Sequence, residues 1–215
     1  MKKIAVRIIS SAKIYAPVKI DNLDEKRIVP KMMIRRRLTR NSKIMLYLAD
    51  KCGFSGGKIV YASAFGELQA TVSITDSIIS DLPISPTSFQ NSVYNSAPSY
   101  FSLLNGDKDE IITISSGRNS SRDALKTATL QALVSGERVL CVATECLDID
   151  RINEVNSCTK YLESGVAIVL EIVQNSENSY ELENLKDDGV IDSLQDLISV
   201  VNMCELGKNT ILVEL

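Results

Sequence analysis

The sequence predicts an α/β fold in which a mixed, mostly parallel sheet is covered by helices on both faces. Short β-branched apolar runs alternate along the chain with longer segments whose apolar residues recur at helical spacing. Gly, Pro, Asn and Ser punctuate the boundaries between these segments. Alternating strands and helices favour parallel pairing with helical crossovers. The 215 residues suffice for one substantial core, and without repeats or linkers we expect a single domain spanning residues 1–215.

The predicted strands are apolar runs rich in β-branched residues. The strongest is SGVAIVLEIV at 164–173, since a continuous apolar run of this length is typical of a strand buried on both faces. The complete set covers residues 4–9, 58–65, 110–115, 138–144, 164–173 and 209–215. Residues 15–30, which contain two prolines, are predicted to form a loop.

The predicted helices cover residues 31–51, 67–79, 85–105, 120–135 and 189–203. The third begins at Ser85-Pro86, because a serine N-cap followed by proline at the first helical position is a strong start signal. Pro98 is expected to kink or interrupt it.

The fourth predicted helix has signals at both ends. Ser120 or Ser121 is expected to cap its start, with Asp123 placed after Ser120 as in a capping box. Gly136 is expected to end it as a C′ residue.

Composition limits the classes of function. Hydrophobic residues make up 45% and charged residues 24% of the chain, as in ordinary soluble globular proteins. A net charge of -3 and the absence of Trp give no basis for nucleic-acid binding. No apolar run approaches the ~18 residues of a membrane span, and the apolar start is too short and broken for a signal peptide. We therefore expect a cytoplasmic protein.

The cysteines are expected to be free, reduced thiols. Five cysteines are widely spaced, with no CxxC pair and no histidine in the chain, which argues against a zinc site. Neither a metal nor a cofactor is predicted. The five are Cys52, Cys141, Cys146, Cys158 and Cys204.

The turn ISSGRNSS at 114–121 lies between a predicted strand and a predicted helix, where an enzyme of this layout would hold its nucleophile. The residues available there are Arg118 and Asn119, with no cysteine. Ser116 or Ser120 could serve as a nucleophile, but the chain has no histidine to act as its base. Serines in such a turn more often form capping hydrogen bonds.

Three passages carry a resemblance to a known family. They are Pro30 followed by RRRLTR at 35–40, SPTSFQNSVYNSAPSY at 85–100, and SSRDALKTATLQALVSGERVLCVATE at 120–145 followed by YLESGVAIVLE at 161–171. Together they resemble the N-terminal half of the β-ketoacyl synthases, which have the thiolase fold. The closer similarity is to the short chain-length-factor proteins found beside aryl-polyene-type fatty acid pathways.

The resemblance implies a thiolase-like half-fold without its catalysts. Active ketosynthases hold a cysteine at the strand-to-helix turn, and the alignment places that position at Arg118 or Asn119. The nucleophile position is thus vacant, and the second half of the family's usual length, which supplies further catalytic groups, is absent here. Tyr94 stands where the related short proteins tend to carry histidine.

The implied function is a non-catalytic chain-length-factor subunit in fatty acid or aryl-polyene-type biosynthesis. It would pair with a full-length ketosynthase, or with itself, through the strand at 111–115. The expected interface and acyl-pocket residues are Phe89, Val93, Tyr94, Asn95, Phe101, Ile112, Ile114 and Arg118. Arg118 could equally be a solvent-facing turn residue.

The basic cluster at 35–43 suggests a second partner. Its positive charge could dock an acidic acyl carrier protein, although such a run is more often a solvated helix face. The docking candidates are Arg35, Arg36, Arg37 and Arg40. Two alternatives remain at this stage: a serine-dependent acyltransferase or hydrolase acting on acyl thioesters, and a scaffold that binds acyl carrier protein.

Overall fold

The computed structural model describes residues 2–150, 152–155, 159–174 and 179–215, and in them a seven-stranded mixed sheet. The strands are β1 (Lys3–Ala16), β2 (Lys58–Ala62), β3 (Ile111–Ile114), β4 (Val139–Cys146), β5 (Glu163–Ile172), β6 (Tyr180–Glu181) and β7 (Thr210–Glu214). Their order across the sheet is β3-β2-β4-β5-β1-β7-β6. The β2–β3, β2–β4 and β6–β7 pairs are parallel and the other three are antiparallel, so the mixed sheet is confirmed with a larger antiparallel share than expected.

The first strand is much longer than the sequence predicts. It has 14 residues, whereas its local pattern suggests an end at Ile9. Antiparallel pairing with β5 continues as far as Ala16 opposite Glu163, past a register shift between Ile8 and Ser10. The strand continues through its polar residues because a long partner strand satisfies its backbone groups.

The helices are α1 (Glu25–Ile28), α2 (Met32–Arg35), α3 (Arg40–Lys51), α4 (Leu68–Ile79), α5 (Pro86–Asn91), α6 (Ser96–Asn105), α7 (Ser120–Ser135), α8 (Ile152–Val155) and α9 (Gln195–Glu205). The single helix predicted at 31–51 is in fact two, α2 and α3. Thr39 begins the second one, because its hydroxyl accepts a hydrogen bond from the amide of Ser42. The predicted loop at 15–30 contains the end of β1 and the short α1.

The predicted helix at 85–105 is also divided, but not at Pro98. Ser85 caps α5 as predicted, accepting from the amide of Ser88. The break lies at residues 92–95, and Pro98 is buried in the first turn of α6, where its missing N–H leaves no hydrogen bond unmade. Gly106 ends α6 with a φ of 65°, a left-handed conformation that favours glycine.

Helices cover both faces of the sheet, as predicted. Small and aliphatic side chains of α7 and α9 pack on one face, and those of α3 and α6 pack on the other. Helix α4 differs, because none of its residues is buried. No helix among the described residues combines the length and apolar character that crossing a membrane requires.

The described cysteines are free thiols, as predicted: Cys52, Cys141 and Cys146 are buried and Cys204 is half-buried. Burial raises the pKa of Cys52 to about 11 and that of Cys146 well above the usual range. These thiols therefore act as small apolar groups in the core. Cys158 lies outside the described residues.

Candidate functional site

The turn that would hold a nucleophile follows the edge strand β3. It contains a single turn of 3-10 helix, Gly117–Asn119, immediately before α7. The hydroxyl of Ser120 donates to the carbonyl of Gly117 over 2.8 Å and accepts from the amide of Ser116 over 3.0 Å. Gly117 has a φ of 56°, which favours glycine at this bend.

Ser120 closes this turn and does not cap α7. The N-cap is Asn119, which makes no side-chain capping bond, so the predicted capping box is absent. Ser120 is fully buried, and both hydrogen bonds occupy its hydroxyl. Ser116 is exposed, and with no histidine in the chain it lacks the usual base that would activate a serine.

Arg118 points into solvent. Its side chain is 88% exposed, with Nε 3.8 Å from Oδ2 of Asp192. The guanidinium lies at one wall of an open groove of about 460 Å³. Glu183 and Lys186 also line this groove, so it carries charges of both signs.

The most elaborate polar cluster near the turn is centred on Glu145, at the end of β4. One carboxylate oxygen accepts from the amide of Ala64 at 2.5 Å and from the hydroxyl of Ser193 at 2.9 Å. The other accepts from the hydroxyl of Ser63 at 2.9 Å and the amide of Phe65 at 3.3 Å. All four partners are neutral, and burial raises the pKa of Glu145 to about 7.

Glu67 is a second buried carboxylate, and no cation is among its hydrogen-bond partners in the part of the chain that the structure describes. It accepts from the hydroxyl of Thr39 at 2.7 Å and, more weakly, from the side-chain amide of Asn41 at 3.5 Å. Burial raises its pKa to about 7 as well. Glu67 is the residue immediately before α4, whereas Glu145 bonds the residues that follow β2, so both carboxylates contact the connection between β2 and α4.

The arginines of the predicted basic cluster differ in their exposure to solvent. Arg40 is largely buried, with Nε 2.6 Å from Oε1 of Glu163 and Nη2 3.0 Å from the carbonyl of Ile20, so it is a core ion pair and not a docking residue. Arg35 donates to the carbonyl of Val29. Arg36 and Arg37 alone of the four candidates are exposed.

The predicted interface residues also differ in exposure, since some lie at the surface and one lies in the core. Side chains of α5 and the following turn are exposed: Phe89 at 65%, Val93 at 47% and Tyr94 at 41%, together with Asn95. Ile112 and Ile114 are half-buried on the edge strand. Phe101 is 2% exposed and packs on Phe54, with ring centroids 5.8 Å apart, so it belongs to the core and not to this surface.

Sequence reasoning missed the buried carboxylates. A signal of burial was available for two of them, because each is a charged residue at one end of an apolar strand. Glu145 lies in VLCVATECL, and Glu163 begins ESGVAIVL. Glu67 had no such signal, because its burial comes from α3. In the residues that the structure describes, no three His, Cys, Asp or Glu side chains form a cluster that could hold a metal ion.

Residues 13–199 match the family model described as beta-ketoacyl synthase, N-terminal domain. The chain belongs to the β-ketoacyl synthase family. No curated protein matches the chain.

Solved structures of ketosynthases share its thiolase-like fold. One is the ketosynthase ApeO in complex with its chain length factor ApeC from Xenorhabdus doucetiae, with 25% identity over 79% of each chain and a TM-score of 0.63. Another is the ishigamide ketosynthase/chain length factor, with 12% identity over 80% of this chain and 63% of that one, and a TM-score of 0.61. A third is a type II PKS acyl-carrier protein in complex with its ketosynthase, with 15% identity over 80% and 64% and a TM-score of 0.58.

Proposed function

We propose that this chain is a non-catalytic subunit of the chain-length-factor kind that pairs with a full-length ketosynthase in fatty acid or aryl-polyene-type synthesis. The observation that carries this proposal is the edge strand β3, at which the sheet ends with no described partner on its outer side. An open edge with apolar side chains is a template for pairing with another chain. The solved complex of a ketosynthase with its chain length factor supports a partner of this class.

The backbone of β3 offers specific groups to a partner. The carbonyls of Glu110 and Ile114 accept from amides of β2 and its following residue. Because the backbone groups of successive strand residues point to alternate sides, Ile111 and Thr113 present their N–H and C=O groups to the open edge. A partner strand would form hydrogen bonds with those two residues.

Exposed apolar side chains of α5, α6 and the turn between them add to the surface available to a partner. Phe89 and Val93 are exposed, and Leu103 on α6 is 66% exposed. Val93 and Leu103 line the same shallow pocket, and contiguous apolar surface typically marks a protein interface. On this proposal these side chains help to shape the partner's acyl pocket, and the exposed Arg36 and Arg37 contribute to docking an acyl carrier protein.

The turn after β3 supports a role without catalysis. Active members of the family need a thiolate there, whereas this chain has Arg118 and Asn119, and the neighbouring Ser120 is buried. No observation favours the serine-dependent acyltransferase alternative. Exposure of the chain to a radiolabelled acyl thioester should therefore leave no label on Ser116.

The test is purification of the tagged chain from its native host, with mass spectrometry and light scattering of the eluate. We expect a stoichiometric full-length ketosynthase in the wild-type eluate. Thr113→Pro should abolish the complex, because proline removes the outward N–H and leaves the bonds to β2 intact. The matched control Thr113→Val keeps that N–H and should retain the partner.

Other outcomes would count against the proposal. A homodimer without ketosynthase that Thr113→Pro dissociates would show that the edge strand pairs with a second copy. Binding of acyl carrier protein by a monomer that recovers no ketosynthase would favour the scaffold alternative.

A further inference from the structure

Residues 68–95 form an arm that consists of α4, α5 and the segments that follow each helix. The two helices pack on each other, but none of the 28 residues of the arm is buried. Its most exposed large apolar side chains are Ile79 at 77% and Phe89 at 65%. Helices of 12 and 6 residues depend on burial of an apolar face for their stability. The arm therefore needs a surface that the rest of this chain does not provide.

The arm is nearly free of charge. Asp76 and Asp81 are its only charged residues, whereas charged residues make up 24% of the whole chain. Ile78, Leu82 and Val93 add further exposed apolar surface. Depletion of charge combined with large apolar side chains is typical of the core of a protein–protein interface.

The same composition argues against two other classes of partner. A lipid surface with anionic head groups and an acidic carrier protein both attract Lys and Arg side chains. No Lys or Arg occurs from residue 59 to residue 107. The arm is therefore suited to an apolar protein surface.

Both ends of the arm lie beside the open edge strand β3. At its start, Leu68 packs against the same hydrophobic core cluster as Ile114 of β3. At its end, the hydroxyl of Tyr94 donates to the carbonyl of Ala64 over 3.3 Å. The amide of the adjacent Ser63 donates to the carbonyl of Ile114. A protein that pairs with β3 would thus lie next to the arm.

The edge strand alone is too small to hold a stable partner. It has four residues, which extend over only about 13 Å. A stable interface usually takes about 800 Å² and about 20–30 residues from each protein. Most of the contact area must therefore come from surface beside β3, and the arm is exposed, apolar surface in that position.

We propose, on the basis of the function proposed above, that the arm is a docking element for the full-length ketosynthase and supplies most of the apolar contact area. The ketosynthase covers α4 and α5 while it pairs with β3. In the free chain α4 opens locally, because its amides are protected only by a helix that buries no side chain. In the complex the partner holds α4 closed.

The first test places a charge on the arm. Ile79 is the last residue of α4, and Ile79→Lys should weaken binding of the ketosynthase that copurifies with the wild-type chain by at least about tenfold, because the interface would strip the ammonium group of water. The matched control is Val134→Lys, since Val134 is 84% exposed in the last turn of α7; it should bind as the wild type does. A lysine near a helix C-terminus is favourable, so both variants should keep the wild-type unfolding temperature. Titration calorimetry measures the binding.

The second test needs no variant. Amide hydrogen exchange of the full chain is compared with and without the isolated ketosynthase. In the free chain Ile74 and Ser77 of α4 should exchange faster than Leu125 and Ala128, which are buried or hold buried positions in α7. In the complex the exchange of Ile74 and Ser77 should slow by at least about tenfold.

The outcomes separate the arm from the proposed function. If the wild type binds a ketosynthase but Ile79→Lys binds equally well, or α4 exchanges at the same rate in the complex, the arm is not a docking element and the proposed function stands. If the wild type recovers no ketosynthase, the proposed function is wrong, and so is the partner assigned to the arm. A homodimer that Ile79→Lys dissociates would show that a second copy of this chain covers the arm. If Ile79→Lys does not fold, the exchange comparison decides.

Discussion

Arg40 and Glu163 form an ion pair inside the protein: Nε of the arginine lies 2.6 Å from Oε1 of the glutamate, whose side chain is 2% exposed. The pair joins the first turn of α3 to the first residue of β5. The amide of Ile20 donates to the same carboxylate over 2.8 Å. The pair thus connects three distant parts of the chain and removes Arg40 from the exposed basic surface.

Arg40→Met should lower the free energy of unfolding by about 3 kcal/mol, because it leaves the Glu163 charge buried without its partner. Arg36→Met is the matched control, since Arg36 is exposed, and it should change stability by no more than about 0.5 kcal/mol. Urea unfolding at neutral pH measures both. Equal stability of the two variants would mean that the ion pair is dispensable.

Phe101→Ala and Phe89→Ala should affect different properties: the first should lower stability and the second should weaken binding of a partner. Phe101 is 2% exposed and packs on Phe54, so its truncation should cost about 3–4 kcal/mol. Phe89 is 65% exposed, and Phe89→Ala should leave stability nearly unchanged but weaken recovery of a ketosynthase partner. Thermal unfolding and copurification separate the two effects. Destabilisation by Phe89→Ala would show that Phe89 is already packed within this chain.

Local patterns predicted most elements but not their limits. Some signals consist only of residues that are adjacent in sequence, so the sequence indicates them directly. They are the apolar runs that form β2, β4, β5 and β7 and the helix start at Ser85-Pro86. The extension of β1 to Ala16 depends on pairing with β5, which no window around these residues contains. The break before Thr39 has a local cause, since the Thr39 hydroxyl accepts from the amide of Ser42, but the helical spacing of the apolar residues across 31–51 concealed it.

The site was predictable to a similar extent. The turn at Arg118 and the open strand β3 follow from the order of elements and the family resemblance. The environment of Glu145 does not, because its four donors come from residues 63–65 and 193. Likewise, the basic cluster is continuous in sequence, yet Arg40 faces the core while Arg36 faces solvent.

Gly66→Ala should destabilise the protein more than Gly106→Ala. Both glycines have left-handed φ angles, 59° and 65°, so each alanine carries a backbone cost of about 1 kcal/mol. At Gly66 the added Cβ would also lie 2.9 Å from the Tyr94 ring, whereas at Gly106 it meets nothing within 4 Å. Adding Tyr94→Ala should relieve only the steric part, which a double-mutant cycle by urea unfolding measures. An additive cycle would contradict the contact.

Stability of the whole protein should fall as the pH rises from 5 to 7.5. Burial raises the pKa of Glu67 and of Glu145 to about 7, so the folded chain binds more protons than the unfolded chain in this window. Their contribution is fully present below pH 4.5 and is lost as the pH rises through 7. One pKa unit corresponds to about 1.4 kcal/mol, which gives an upper figure of about 3 kcal/mol for each group.

Other groups do not mask this effect. The chain has no histidine. Asp187 is partly buried, yet hydrogen bonds from Asn202 and Tyr15 lower its pKa, so its stabilising contribution is constant above about pH 4 and is lost only below that pH. Urea unfolding at pH 5, 6, 7 and 7.5 should therefore show a steady decrease for the wild type. The double variant Glu67→Gln/Glu145→Gln should show a nearly flat profile. A wild type that gains stability over the same range would mean that both carboxyls are ionised in the fold well below pH 5, with their hydrogen bonds outweighing burial.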